Sequence, residues 1–71
     1  MAEKIVANCV VTCRKVLSVT QQDLADAVGV TRQTIIAIEK GNYTPSVFLA
    51  LKIAAHFKKP MEEVFYLRKI K

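Results

Sequence analysis

Few residues of this chain could make or break bonds. There are two cysteines, Cys9 and Cys13, and one histidine, His56. Cysteine and histidine alone therefore cannot complete a four-ligand zinc site within one chain. Cys9 and Cys13 stand four apart, which puts them on one face of a helix, where the backbone resists a disulfide. They are expected to be reduced and packed as small apolar residues; a redox role or an intersubunit metal is the alternative. Glu62 and Glu63 follow Pro60 and suit the first turn of a helix, where acids complement the dipole, better than a catalytic pair. The sequence shows no nucleophile matched with a base and no glycine loop that could cradle a phosphate. It therefore predicts no enzyme, no cofactor, no metal and no small-molecule ligand. The polar pair Arg32 and Gln33 is the more informative feature. Arginine can take guanine and glutamine adenine by paired hydrogen bonds in the major groove of a duplex.

Such a pair works only if a rigid frame presents it. Thr20 can cap a helix, and Asp23 three residues on makes a variant of the capping box. Leu24, Ala25 and Val28 form its apolar stripe, and Gly29 ends it. Thr31 caps the next helix at once, and Gly41 closes it. Ile35 and Ile38 point one way; Arg32, Gln33, Ile36 and Lys40 point the other. Two short helices joined by Gly29-Val30-Thr31 read as a helix-turn-helix over about residues 20–41. A first helix is expected from about Lys4 to Leu17, although Val10, Val11 and Thr12 are β-branched and favour strand locally. Ser46, after Pro45, caps a fourth helix through Phe57 that is apolar on most faces. Pro60 starts a short fifth helix containing Met61, Val64 and Phe65.

The 71 residues suit one small domain over 1–71, with 52% apolar types and a net charge of +5. That is too apolar for a disordered polyelectrolyte. No apolar stretch approaches the roughly 20 residues of a membrane span. The first residues lack a secretory pattern, so a cytoplasmic location is expected. The basic tail, 66–71, reads as a solvated end, a phosphate-contacting arm or a dimerising strand.

The run TQQDLADAVGVTRQTIIAIEKG, Thr20 to Gly41, resembles the phage-repressor-type helix-turn-helix family, the Xre or Cro/C1 type. NYTPS, Asn42 to Ser46, with ALKIA, Ala50 to Ala54, resembles that family's next loop and fourth helix, and PMEEVF, Pro60 to Phe65, its fifth. The likeness spans about residues 8–65. It implies an all-α, five-helix, lambda-repressor-like DNA-binding domain, with room for a short extended C-terminal tail. The resemblance assigns base reading to Arg32, Gln33, Ile36 and Ala37. Phosphate contacts fall to Gln21, Thr31, Lys40, Asn42, Tyr43 and Thr44, with Gln21 also leaning on Gln33. Arg14 and Glu39 match an internal salt bridge. Cys13 replaces a larger aliphatic residue, Ser18 a helix-ending glycine, and Phe48, Ala55 and Ile36 positions that are usually polar.

The function implied is sequence-specific binding of a double-stranded DNA operator, with repression by occupancy. A homodimer is expected, because one short helix reads too few base pairs. Phe48, Val64, Phe65 and Leu67 are its candidate contacts. The rival is a protein-interaction module, adaptor or antitoxin-like, on the same scaffold, suggested by the apolar excess at Phe48, Ala55 and Ile36.

Overall fold

Three threonine or serine hydroxyls set where the central helices begin. In the computed structural model, which describes residues 3–70, Thr20 Oγ1 accepts from Asp23 N–H at 2.9 Å, and Asp23 Oδ2 accepts from Thr20 N–H at 3.1 Å. This reciprocal box opens α2, Gln21–Val28. Thr31 Oγ1 caps Thr34 N–H and opens α3, Arg32–Glu39. Ser46 Oγ caps Leu49 N–H and opens α4, Val47–His56. Gly29, at φ +81°, supplies the left-handed turn between α2 and α3, and Gly41, at φ +79°, the turn after α3.

The N-terminal expectation needs correction. Lys4–Asn8 is not the start of a helix but a strand, β1, and α1 is confined to Val10–Val16. The tail is the reason. Phe65–Lys69 forms β2, antiparallel to β1, with Lys4 opposite Lys69 and Asn8 opposite Phe65. Of the tail 66–71, Lys71 lies outside the described residues. Among the described residues the fold is thus five helices plus a two-stranded sheet rather than all-α, with α5 the single turn Met61–Val64. The helix limit at the N-terminus is set by Asn8, whose Oδ1 accepts from Val10 N–H at 3.1 Å, while Cys9 holds the cap position.

The core lies between the helices. Val10 and Cys13 of α1, Leu24, Ala25 and Val28 of α2, and Ile35 and Ile38 of α3 meet Leu49, Ala50, Ile53 and Ala54 of α4. Phe57, Val64 and Phe65 complete it. Each fully buried Leu, Ile or Val contributes about 1.5–3 kcal/mol relative to exposure. The two thiols stand at the edge of this core, with sulfurs 3.4 Å apart and Cys9 Sγ also directed at Glu63 O. Both are free, and burial raises the pKa of Cys13. No described helix is long and apolar enough to cross a membrane.

Candidate nucleic-acid interface

The site starts from a carboxylate that three helices share. Glu39, in the last turn of α3, has a side chain only 6% exposed, and Arg14 of α1 one 12% exposed. Arg14 Nε donates to Glu39 Oε2 at 2.6 Å and Nη2 to Oε1 at 3.3 Å, a two-pronged geometry that only the planar guanidinium provides. The third prong, Nη1, donates to Val19 O at 3.0 Å and pins the turn between α1 and α2. Gln21, the first residue of α2, donates its Nε2 to Glu39 Oε1 at 2.9 Å. Its Oε1 accepts from Arg32 Nε at 3.3 Å. One chain of side chains therefore runs from the first helix, through Glu39 and Gln21, to the leading residue of α3. The hydrogen-bond partners of Gln21 are Glu39 and Arg32; Gln33, on which the resemblance has it lean, is not among them. The Glu39 carboxylate holds the Gln21 amide nitrogen, and the long Arg32 side chain reaches the amide oxygen.

On α3, Ile35 and Ile38 are buried, which turns the opposite side outward. Thr31, Arg32 and Gln33 are exposed at its start, and Ile36 and Ala37 are half-buried along it. Lys40, Asn42, Tyr43 and Thr44 continue from its end and are exposed. The loop leaves α3 in a fixed direction, because Asn42 N–H donates to Ala37 O and Gly41 N–H to Ile38 O. The α3 and loop candidates therefore follow one another along a single outward edge, polar at both ends and apolar at Ile36 and Ala37. Gln21 and Gln22, in the first turn of α2, add N–H groups that no helical carbonyl can satisfy, the donor type that phosphate oxygens take.

Sequence reasoning missed Asn8. Its Nδ2 donates to Ile38 O at 2.9 Å, tying the last turn of α3 to β1. An asparagine before a β-branched run is a start signal, and it marks where the helix begins. Lys52 was missed as well: Nζ donates to Val28 O at 2.7 Å, closing the end of α2, and lies 4.6 Å from the centre of the Phe48 ring. The expected interface residues divide. Phe48 and Leu67 are 70% and 65% exposed, but Val64 and Phe65 are 0% and 9% exposed. Val64 and Phe65 therefore belong to the core and offer little surface to a second chain. The turn of α5 and the pairing of β2 direct them inward.

A helix-turn-helix family model matches residues 12–64. The chain belongs to the helix-turn-helix family of the Xre, or Cro/C1, type. It is 58% identical over 48 residues to the uncharacterised HTH-type transcriptional regulator YgzD of Bacillus subtilis, covering 68% of this chain and 73% of that one. An uncharacterised HTH-type transcriptional regulator of Methanothermobacter thermautotrophicus is 56% identical over 55 residues, 76% of this chain and 80% of its own. The regulator MJ0272 of Methanocaldococcus jannaschii is 56% identical over 52 residues, 73% and 79% of the two chains. The helix-turn-helix fold and these regulators support DNA-binding transcriptional regulation.

Proposed function

We propose that this regulator reads a short operator in duplex DNA and represses by occupying it as a homodimer. Arg32 and Gln33 are the polar readers, the first for guanine and the second for adenine. Ile36 and Ala37 take the apolar contacts, a thymine methyl foremost. Thr31, Lys40, Asn42, Tyr43, Thr44 and the start of α2 at Gln21 hold phosphates and set the register without reading sequence. The observation that carries this reading is the chain Arg14–Glu39–Gln21–Arg32, which fixes the start of α3 relative to the body. Base discrimination needs such preorganisation, since a loosely held side chain serves several bases. The exposed apolar side chains Val47, Phe48, Leu51 and Leu67 supply surface for a second copy. The same exposure supports the second reading, an adaptor or antitoxin-like module.

Selection of bound sequences from a random duplex pool at fixed salt tests the proposal. Gln33→Ala is expected to cost about 1–3 kcal/mol on the selected site and little on random DNA. Equal weakening on both would remove base reading from α3 and favour the adaptor. Sedimentation at micromolar concentration should give two chains; a monomer unchanged by operator would end the homodimer.

A further inference from the structure

The cations of the basic tail have no role in the reading above, and β2 places them. Cys9 N–H donates to Val64 O at 3.0 Å and Ile70 N–H to Glu3 O at 3.1 Å, which fixes the phase of the antiparallel ladder. Hydrogen-bonded and non-hydrogen-bonded pairs alternate. Ile5 and Ala7 therefore turn their amides toward β2, and Lys4, Val6 and Asn8 turn theirs to the outer edge. A hollow of about 570 Å³ runs along β1. Its far wall is the end of α3 and the loop beyond: Glu39, Lys40, Gly41 and Thr44. Arg68 of β2 lines it as well.

Three cations from separate parts of the chain, Lys4, Lys40 and Arg68, thus share one hollow. Among the described residues none of the three forms an ion pair. The acid in the wall does not neutralise them, because Glu39 is already held by Arg14 and Gln21. Helix C-terminal carbonyls repel anions when free, but here they are occupied. Ile36 O accepts from Lys40 N–H, Ala37 O from Asn42 N–H, and Ile38 O from Gly41 N–H and the Asn8 amide. The outer edge of β1 offers its backbone N–H groups in alternation with carbonyls, and the Lys4 and Arg68 positions flank it from the two faces of the ribbon, so the positive charge lining the hollow is what an entering anion would balance.

The structure assigns this hollow to the phosphodiester backbone of duplex DNA, beside the bases that α3 reads. The inference rests on the proposed recognition role of α3 and extends its footprint. Lys4 and Arg68 make the added contacts, and the two-stranded sheet is the device that carries them there from the two ends of the chain. Lys40 belongs to both surfaces and joins them. The bound groups are phosphates, so the contribution is indifferent to base sequence and steeply sensitive to salt.

Affinity of the full chain for its selected site and for random duplex, measured across a salt series, tests this. Lys4→Ala with Arg68→Ala should weaken both DNAs by the same factor, about tenfold at moderate salt, and reduce the salt slope by about 2. Lys58→Ala with Lys59→Ala removes equal charge away from this hollow and should leave the slope within about half a unit. Lys4→Arg with Arg68→Lys should restore the wild-type slope. If the double alanine variant melts early, Arg68→Ala alone should still lower the slope by about 1. Equal losses from both alanine pairs, or no loss from the first, would overturn the inference. Failure of the unaltered protein to bind any duplex would instead bring down the recognition reading on which it rests.

Discussion

The helix-turn-helix and the two-stranded sheet each fix the direction of exposed side chains, by opposite means. Residues 20–41 carry their instructions locally. The Thr20–Asp23 box, the Thr31 cap and the two left-handed glycines each act within four residues. The sheet has no such local support. β1 and β2 have mostly exposed residues, and a two-stranded ribbon alone is marginal in water. It persists because Phe65 is buried in the core and Asn8 holds Ile38. A locally encoded motif can be substituted residue by residue, whereas a ribbon anchored at one end fails as a unit.

The sharpest way to break the contrast is to attack the group that joins the helices. Glu39→Ala leaves the Arg14 guanidinium unpaired beside the core and should cost about 3–5 kcal/mol, read from chemical denaturation. Arg14→Ala should cost about 2–4 kcal/mol by the same measurement. An unchanged midpoint in both would show that the helices are held by apolar packing alone.

The ribbon should fail separately. Ala7→Pro removes an amide that faces β2, so exchange of the β2 amides should accelerate by at least about tenfold. Amides of α2 and α3 should keep their protection. Loss of protection throughout would mean that sheet and helices form one cooperative unit.

Smaller effects separate the caps from the turns. Thr20→Ala should destabilise by about 1 kcal/mol. The same box has a pH signature. The Thr20 backbone N–H, and then its side chain, hold the Asp23 carboxyl below the usual carboxylate range. Its contribution is therefore present above the unfolded carboxylate pKa and is lost as pH falls through the lower folded value. Asp23→Asn should be less stable than the parent at neutral pH, and the two should converge in acid. A constant gap across the titration would assign the effect to packing.

The smallest change concerns Ser18, which sits at φ +57° where a glycine would carry no strain. Ser18→Gly should stabilise by up to about 1 kcal/mol in thermal melts. Destabilisation there would mean that the flexibility gained by the unfolded chain outweighs the strain relieved.

How much was legible in the sequence follows from the range of each interaction. Helices α2 to α4, their caps and the turn between α2 and α3 were legible, because a helix hydrogen bond closes within four residues and its signals lie beside it. The edge carrying Arg32, Gln33, Lys40 and the loop to Thr44 was legible for the same reason: once Ile35 and Ile38 are inside, helical geometry sends these residues outward. Lys4–Asn8 was misread because its local pattern fits a helix as well as a strand. Its true partner is Phe65–Lys69, about sixty positions away, and strand pairing leaves no mark on either segment alone. The inward turn of Val64 and Phe65, the sharing of Gln21 between Glu39 and Arg32, and the meeting of Lys4, Lys40 and Arg68 likewise depended on where distant segments came to rest. The sequence by itself determined the helix-turn-helix and its outward face. Only the tertiary structure decided what the two ends of the chain do, because their backbone hydrogen bonds are made to each other.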